Sequence, residues 1–263
     1  MRNKANNDTN VTVERRTKIV EKIENEGTVK VSELSKIFNV SEVTIRNDLD
    51  QLEKKNLLIR AHGGAMKFQR AGIDFELDVK SKKNYLQKKA IGKRASEQIK
   101  DSDTIILDSG TTTLEIAKNL SNFSNLTVIT NSLNIAGALV DFPNVKVIML
   151  GGTLRRKSLS LVGNVAAESL KNYYCDKVFM GVDGIDTQYG ISTPNVDEAH
   201  LNNIMISNSR EVIVVTDSSK FKNRSFTHIA PISKVNVVIT DNKIPDEESK
   251  SLSNMGIDVI IVE

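Results

Sequence analysis

The stretch Ser41–Lys55, SEVTIRNDLDQLEKK, decides how the first quarter of the chain folds. Ser41 can accept from the first free backbone amides of a helix, and Glu42 places a carboxylate in its positive first turn. At about 100° per residue, Ile45, Leu49 and Leu52 share one side, while Val43, Thr44, Arg46 and Asn47 lie around the other. One face packs and the other is free to read a partner. Ser32 is the expected cap of a shorter preceding helix, whose Leu34, Ile37 and Phe38 follow i, i+3, i+4 spacing, and Phe38-Asn39-Val40 turns the chain into Ser41. Two short helices joined by such a turn form a helix-turn-helix, predicted over about 29–48. Beyond it, Leu57–Arg60 reads as a strand, Gly63-Gly64 as a tight turn and Ala65–Phe68 as the return strand, which together make the wing of a winged helix.

The run GTVKVSELSKIFNVSEVTIRNDLDQLEKKNLLIRAHGGA, Gly27–Ala65, resembles the DNA-binding domain of DeoR-type bacterial sugar-operon repressors, down to the TIRNDL core and the RAHGGA wing. The resemblance implies that the second helix enters the major groove of double-stranded operator DNA. It brings Ser41, Val43, Thr44, Arg46 and Asn47 to the DNA, with Arg60 and His62 of the wing as further contact candidates. By chemistry, Arg46 suits a phosphate or a guanine edge, Asn47 an adenine and Val43 a thymine methyl. A solvated helix face is the other reading of such a surface; the turn before it and the glycine pair after it favour DNA.

The 263 residues allow one small and one medium domain, and the 39% apolar and 26% charged fractions are those of an ordinary water-soluble chain. No apolar run has the length of a membrane span, and MRNKANNDTN lacks the apolar stretch of a signal peptide, so a cytoplasmic protein without membrane partners is expected. Cys175 is alone and reads as packing; His62, His200 and His228 lack ligand spacing, so no metal and no cofactor are expected. Residues 1–94 carry 21 Lys and Arg against 13 Asp and Glu, a net +8, while residues 95–263 carry 15 against 20, a net −5. A basic N-terminal portion suits a polyanion. The lysines from Lys80 to Lys93, however, read first as a solvated helix face.

In chain order, residues 1–10 read as a disordered polar tail. A helix begins at Thr12 or Val13, carries Ile19, Val20 and Ile23 on one face and ends at Gly27, so the winged domain covers 11–68. Residues 69–80 read as a linker, and the second domain covers 81–263. Its first helix has a predicted apolar stripe of Leu86, Ala90, Ile91, Ala95 and Ile99. Then Thr104–Leu107, Thr127–Thr130, Val145–Leu150, Val178–Val182, Val212–Thr216, Val237–Thr240 and Val259–Val262 alternate with helical segments. That order predicts an α/β domain with a mostly parallel sheet covered on both faces.

Polar residues gather where those strands end: Asp108–Thr113, Asn131-Ser132, Gly151-Gly152, Gly181–Gly184 and Asp217–Lys220. In open α/β sheets ligands bind outside the carboxyl ends of the strands, so one shared crevice is predicted. Asp108–Thr113, DSGTTT, offers a glycine bend at Gly110, three threonine hydroxyls after it and a Thr112-x-x-Glu115 capping box, the elements of a phosphate cradle. An ordinary Thr-capped turn is the alternative. No Walker A loop and no GxGxxG follows any strand.

The motifs DSGTTT, TN, GG, GVDGID and TDSSKF are similar to those of DeoR-type sensor domains, which look like the sugar-phosphate isomerase fold. The similarity implies phosphosugar binding by Thr111, Thr112, Asn131, Gly152 and Lys220, with Asp183 and Glu198 near the sugar. IRNDL, LRRKS at Leu154–Ser158 and NVDEAHLN at Asn195–Asn202 look most like the branch that represses N-acetylgalactosamine and galactosamine operons. A repressor released by a phosphorylated amino sugar is the expectation, acting as a homo-oligomer, dimer or tetramer. Because Asp183, Glu198 and Lys220 resemble an acid-base set, an isomerase-like enzyme carrying a DNA-binding domain is the competing reading. Arg155-Arg156-Lys157 reads equally as a phosphate contact or a solvated loop.

Overall fold

The computed structural model describes residues 2–54, 57–61, 63–66 and 74–263, the side chains of 2–11 and 24–25 excepted. The chain divides into two units, Met1–Arg70 and Ala71–Glu263. In the first, α1 (Arg2–Glu26), β1 (Thr28–Lys30), α2 (Val31–Phe38) and α3 (Glu42–Lys54) precede the hairpin of β2 (Ile59–Ala61) and β3 (Gly64–Met66). Ile19 and Ile23 of α1, Leu34 of α2, Ile45, Leu49 and Leu52 of α3, and Leu58 form its core. The apolar side of α3 is the one the sequence assigns to packing. Gly27, at φ +78°, donates its N–H to the Ile23 carbonyl at 2.8 Å and stops α1.

Several boundaries differ from the sequence reading. Helix α1 starts at Arg2, ahead of Thr12, and runs through the segment read as a disordered tail. Arg2–Glu26 contains neither Gly nor Pro to interrupt the backbone ladder. Ser32 lies inside α2, whose N-cap is Lys30, because the chain enters the helix straight from β1. The Val31 N–H is taken instead by the Gly63 carbonyl at 2.9 Å. Strand β1 was not foreseen; it pairs antiparallel with β3, and β3 with β2, giving the order β1-β3-β2. A Cβ on Gly64 would lie 2.0 Å from the Val29 carbonyl oxygen, which is why this wing position takes glycine.

The second unit holds α4 (Leu77–Lys82), α5 (Tyr85–Ser96), β4 (Thr104–Leu107), α6 (Thr111–Ala117), β5 (Leu126–Thr130), α7 (Leu133–Leu139) and β6 (Val145–Met149). It continues with β7 (Thr153–Arg155), β8 (Ser160–Val162), α8 (Asn164–Leu170), β9 (Cys175–Met180), β10 (Gly184–Asp186), β11 (Gly190–Thr193), α9 (Val196–Ser207) and β12 (Ser209–Val215). Strand β13 (Thr227–Ala230), β14 (Val237–Asp241), α10 (Asp246–Asn254) and β15 (Asp258–Val262) complete it. The seven strands read from the sequence form one sheet, ordered β15-β14-β12-β9-β4-β5-β6, with every neighbouring pair parallel. Within β9, Val178 and Met180 enter one apolar layer with α8 and α9 while Phe179 enters the other with α5 and α6. Burial on both faces is what the unbroken apolar strands require. The small sheets β7-β8 and β10-β11-β13, too short to show a period, were not foreseen.

The linker predicted over 69–80 does not extend that far, since α4 already belongs to the second unit. In α5, Leu86 is 74% exposed, and the buried residues are Lys88, Ile91, Gly92 and Ala95. A Cβ on Gly92 would sit 2.5 Å from Glu115 Cβ, so glycine lets α5 press against α6 and rotates the helix to bury that stripe.

Candidate functional site

The reading face of the first unit is built by α3. Ser41 Oγ accepts from the Thr44 amide at 3.1 Å and lies 2.9 Å from the Thr44 hydroxyl, which fixes the start of the helix. Ile45, Leu49 and Leu52 turn inward, leaving Val43 62% exposed, Arg46 and Asn47 exposed and Thr44 half-buried. Arg46 pairs with Glu42 at 2.5 Å. Both partners face solvent, and such an i,i+4 pair contributes only about 0.3–0.5 kcal/mol, so the guanidinium is easily handed to another anion. Arg60 is more committed: it reaches Asp50 at 3.1 Å and the Gly64 carbonyl at 3.1 Å, bracing the hairpin, while its amide donates to Glu53 at 2.8 Å. His62 lies outside the described residues.

Asp48 was missed. It is 1% exposed and accepts from Arg15 Nε at 2.6 Å and Arg16 Nε at 2.7 Å, so one carboxylate on the reading helix fixes two arginines of α1. The signal was its place on the packing side of α3, beside Leu49 and Leu52.

In the second unit the parallel sheet brings its carboxyl ends to one edge. After β4, Asp108 turns inward: Oδ1 accepts from Gly110 N at 3.0 Å and lies 2.9 Å from the Thr113 hydroxyl, while Oδ2 accepts from Gly181 N at 3.1 Å. Burial outweighs these donors and pushes the Asp108 carboxyl up to about 7. Asp108 therefore ties the ends of β4 and β9 together. The expected Thr112-x-x-Glu115 box does not form: the N-cap of α6 is Gly110, Thr112 is buried, and Glu115 pairs with Lys118 at 2.6 Å. Thr113 makes the local contact instead, because its hydroxyl reaches back to Asp108.

Asn131 and Gly152 hold a hairpin. Asn131 Nδ2 donates to the Leu161 carbonyl at 3.0 Å and its own carbonyl accepts from Leu161 N at 2.8 Å; its side-chain oxygen is buried without a partner. Gly152, at φ +135°, lets the chain pass where a Cβ would lie 2.5 Å from the Val162 carbonyl oxygen. Both residues seat β7 and β8 beside the end of β5.

Asp183, Glu198 and Lys220 do come together. Asp183 receives Lys80 at 2.9 Å on one oxygen and Lys220 at 3.3 Å on the other. Burial opposes its ionisation, but the two ammonium groups hold the carboxyl far below the usual carboxylate range. Thr193 lies 3.5 Å from Asp183 and 3.4 Å from Glu198, linking the two carboxylates. Glu198 Oε1 takes Arg155 at 2.5 Å, and Arg155 also pairs with Asp74. Asp217, after β12, accepts from Asn84 Nδ2 at 2.7 Å.

Lys88 is the largest departure from the solvated-face reading. It is 5% exposed, its ammonium donates to the Lys80 carbonyl, and burial pulls its pKa down to about 8, with the Asp217 charge opposing the shift. With Thr111, Lys82, Glu115 and Lys118 it lines a cavity of about 500 Å³. Thr111 thus faces a cationic pocket, while Thr112 is packed away beside it. Among the described residues no three His, Cys, Asp or Glu side chains are grouped as metal ligands would be, and no helix is long and apolar enough to cross a membrane.

Residues 15–70 match the DeoR-like helix-turn-helix domain and residues 83–242 the DeoR C-terminal sensor domain. The chain is 41% identical over 95% of its length to a protein of Escherichia coli O157:H7 named as an aga operon transcriptional repressor, covering 94% of it. It is 32% identical over 88% of its length to the glycerol-3-phosphate regulon repressor of Escherichia coli K12, covering 92% of that protein. Among solved structures, ribose 5-phosphate isomerase A of Methanocaldococcus jannaschii overlaps 52% of this chain and 55% of its own, at 18% identity and a TM-score of 0.39, a level at which no chemistry is transferred. The full-length relatives are regulators, which sets aside the isomerase-like reading. The chain belongs to the DeoR family of transcriptional regulators, a helix-turn-helix DNA-binding unit followed by a sensor domain, and is not an enzyme.

Proposed function

We propose that the protein represses an amino-sugar utilisation operon in the cytoplasm and that a phosphorylated amino sugar, galactosamine 6-phosphate or its N-acetyl form, releases it from operator DNA. One observation carries the effector half: Lys80 and Lys220 meet on Asp183, and Lys88 lies below Lys80 beside a cavity that Thr111 also lines. A phosphate dianion needs several charge-assisted donors at once, and a sugar ring needs acceptors for its hydroxyls. The lysines supply the first, and Asp183 and Glu198 supply the second. The amino-sugar class rests on the similarity to the aga operon repressor.

The operator half rests on α3. An aliphatic side chain left as open as Val43, flanked by Arg46 and Asn47, suits a groove that offers a thymine methyl beside hydrogen-bonding base edges. Since one such helix spans only a few base pairs, the protein acts as a homo-oligomer on repeated half-sites. Calorimetry tests the effector half. Wild type should bind galactosamine 6-phosphate far more tightly than galactosamine, and Lys220→Ala should lose about tenfold or more of that affinity. Equal binding by the two proteins would place the effector elsewhere.

A further inference from the structure

The segment from Asp74 to Lys88 crosses the ends of three sheet strands or hairpins as a strap. Asp74 pairs with Arg155, Leu77 N donates to the Lys157 carbonyl at 2.9 Å, Lys80 meets Asp183 at 2.9 Å, and Asn84 meets Asp217 at 2.7 Å. Helix α4, in the middle of the strap, has no buried residue. An element without an apolar anchor is set by its polar contacts and opens at low cost when they are weakened. Here those contacts fall on the charges of the strand-end crevice. The strap also begins just after the unit boundary at Arg70 and Ala71.

We propose that Lys80 is an effector-binding residue and that the strap carrying it is the element through which the effector is felt; this rests on the phosphosugar reading above. Lys80 and Lys220 approach opposite oxygens of one carboxylate, so an oxyanion placed beside Asp183 can accept from both ammonium groups together. Lys80 and Asp183 are each about one-fifth exposed, which leaves that approach open. The Lys88 ammonium donates to the Lys80 carbonyl, which ties the last turn of α4 to α5. Two added negative charges favour the seated strap over the lifted one, and the differential affinity of the ligand for the two positions is what shifts the equilibrium. At the other end, the Asp74–Arg155 pair joins the strap to Glu198, so both Asp183 and Glu198 are tied to the same short segment, Asp74–Lys80.

The test uses the full chain, with folding verified by thermal melting, and compares wild type, Lys80→Met and Lys80→Arg. Calorimetry with galactosamine 6-phosphate should show about a tenfold or greater loss for Lys80→Met, with most of the affinity restored in Lys80→Arg. Hydrogen exchange should show the amides of residues 77–83 slowed by the ligand in wild type but not in Lys80→Met. Unchanged affinity in Lys80→Met, or strap amides indifferent to bound ligand, would overturn the proposal. If wild type binds no sugar phosphate, the phosphosugar reading fails by itself. The ligand-free exchange then judges the strap: amides of 77–83 should exchange about tenfold faster in Lys80→Met than in wild type, and equal rates overturn its dependence on Lys80.

Discussion

Lys88→Met should stabilise the free protein while weakening its hold on a sugar phosphate. In the fold the Lys88 ammonium titrates at about 8, against 10.5 for an unburied lysine. Each pKa unit corresponds to about 1.36 kcal/mol, so below pH 8 the folded chain carries a penalty of about 3 kcal/mol for keeping this group charged. The sign follows from a depressed lysine pKa. The unfolded chain binds the extra proton more readily, so the penalty is complete below pH 8 and fades as pH rises from about 8 towards 10.5. Methionine keeps an unbranched stem of similar length but forfeits the hydrogen bond to the Lys80 carbonyl, worth about 1 kcal/mol. The net gain at pH 7 is then about 2 kcal/mol, a rise in melting temperature of roughly 4–8 °C for a unit of this size. Thermal melts of both proteins at pH 7 and pH 10, with calorimetry against galactosamine 6-phosphate at pH 7, measure the three quantities together. A loss of stability at pH 7, or a gap that does not shrink at pH 10, would refute the burial argument. Retained effector affinity would remove Lys88 from the site.

Three further outcomes follow from the same geometry. Asp48→Ala leaves Arg15 and Arg16 without their shared buried anion and should cost about 3–5 kcal/mol, read by denaturant unfolding of the first unit. Gly152→Ala places a Cβ against the Val162 carbonyl oxygen at positive φ and should destabilise the β7-β8 hairpin by at least about 1–3 kcal/mol, read as a lowered melting temperature. Asp108 has a folded pKa of about 7 against a usual 3.8, so the unfolded chain gives up this proton first and its contribution to stability should fall as pH rises from about 4 to 7. Asp108→Asn should flatten that slope; an unchanged slope would contradict the assignment.

The parts of the fold that were legible are those in which local pattern and burial agree. The seven sheet strands stand out as unbroken runs of β-branched and aliphatic residues because both faces of each are covered. The helix-turn-helix stands out because a cap at Ser41 coincides with the stripe Ile45, Leu49 and Leu52. Where side chains from distant segments decide the outcome, the sequence is silent. Lys80 and Asp183 stand 103 positions apart, and nothing local distinguishes Lys80 from Lys82 or Lys83. A lysine-rich stretch reads as the wet side of α5, yet Lys88 lies on its buried side. The interior glycine, Gly92, was the clue to a close helix contact, and counting back one turn from it reaches Lys88. In DSGTTT the pattern offers three threonine hydroxyls, but only the fold shows that Thr113 braces, Thr112 packs and Thr111 faces the cavity. Asn131 and Gly152, adopted as ligand residues from the family resemblance, sit where they hold the β7-β8 hairpin.

Operator titration with the sensor loaded and unloaded tests repression and its release together. Affinity for DNA from upstream of the protein's own gene should fall when galactosamine 6-phosphate saturates the sensor. Arg46→Ala should lower that affinity by about 1–3 kcal/mol in either state without lowering the melting temperature. Operator DNA should weaken sugar-phosphate binding by the same factor by which the sugar phosphate weakens operator binding, since the coupling is reciprocal. An operator affinity that stays unchanged while calorimetry shows the sensor filled would contradict the account.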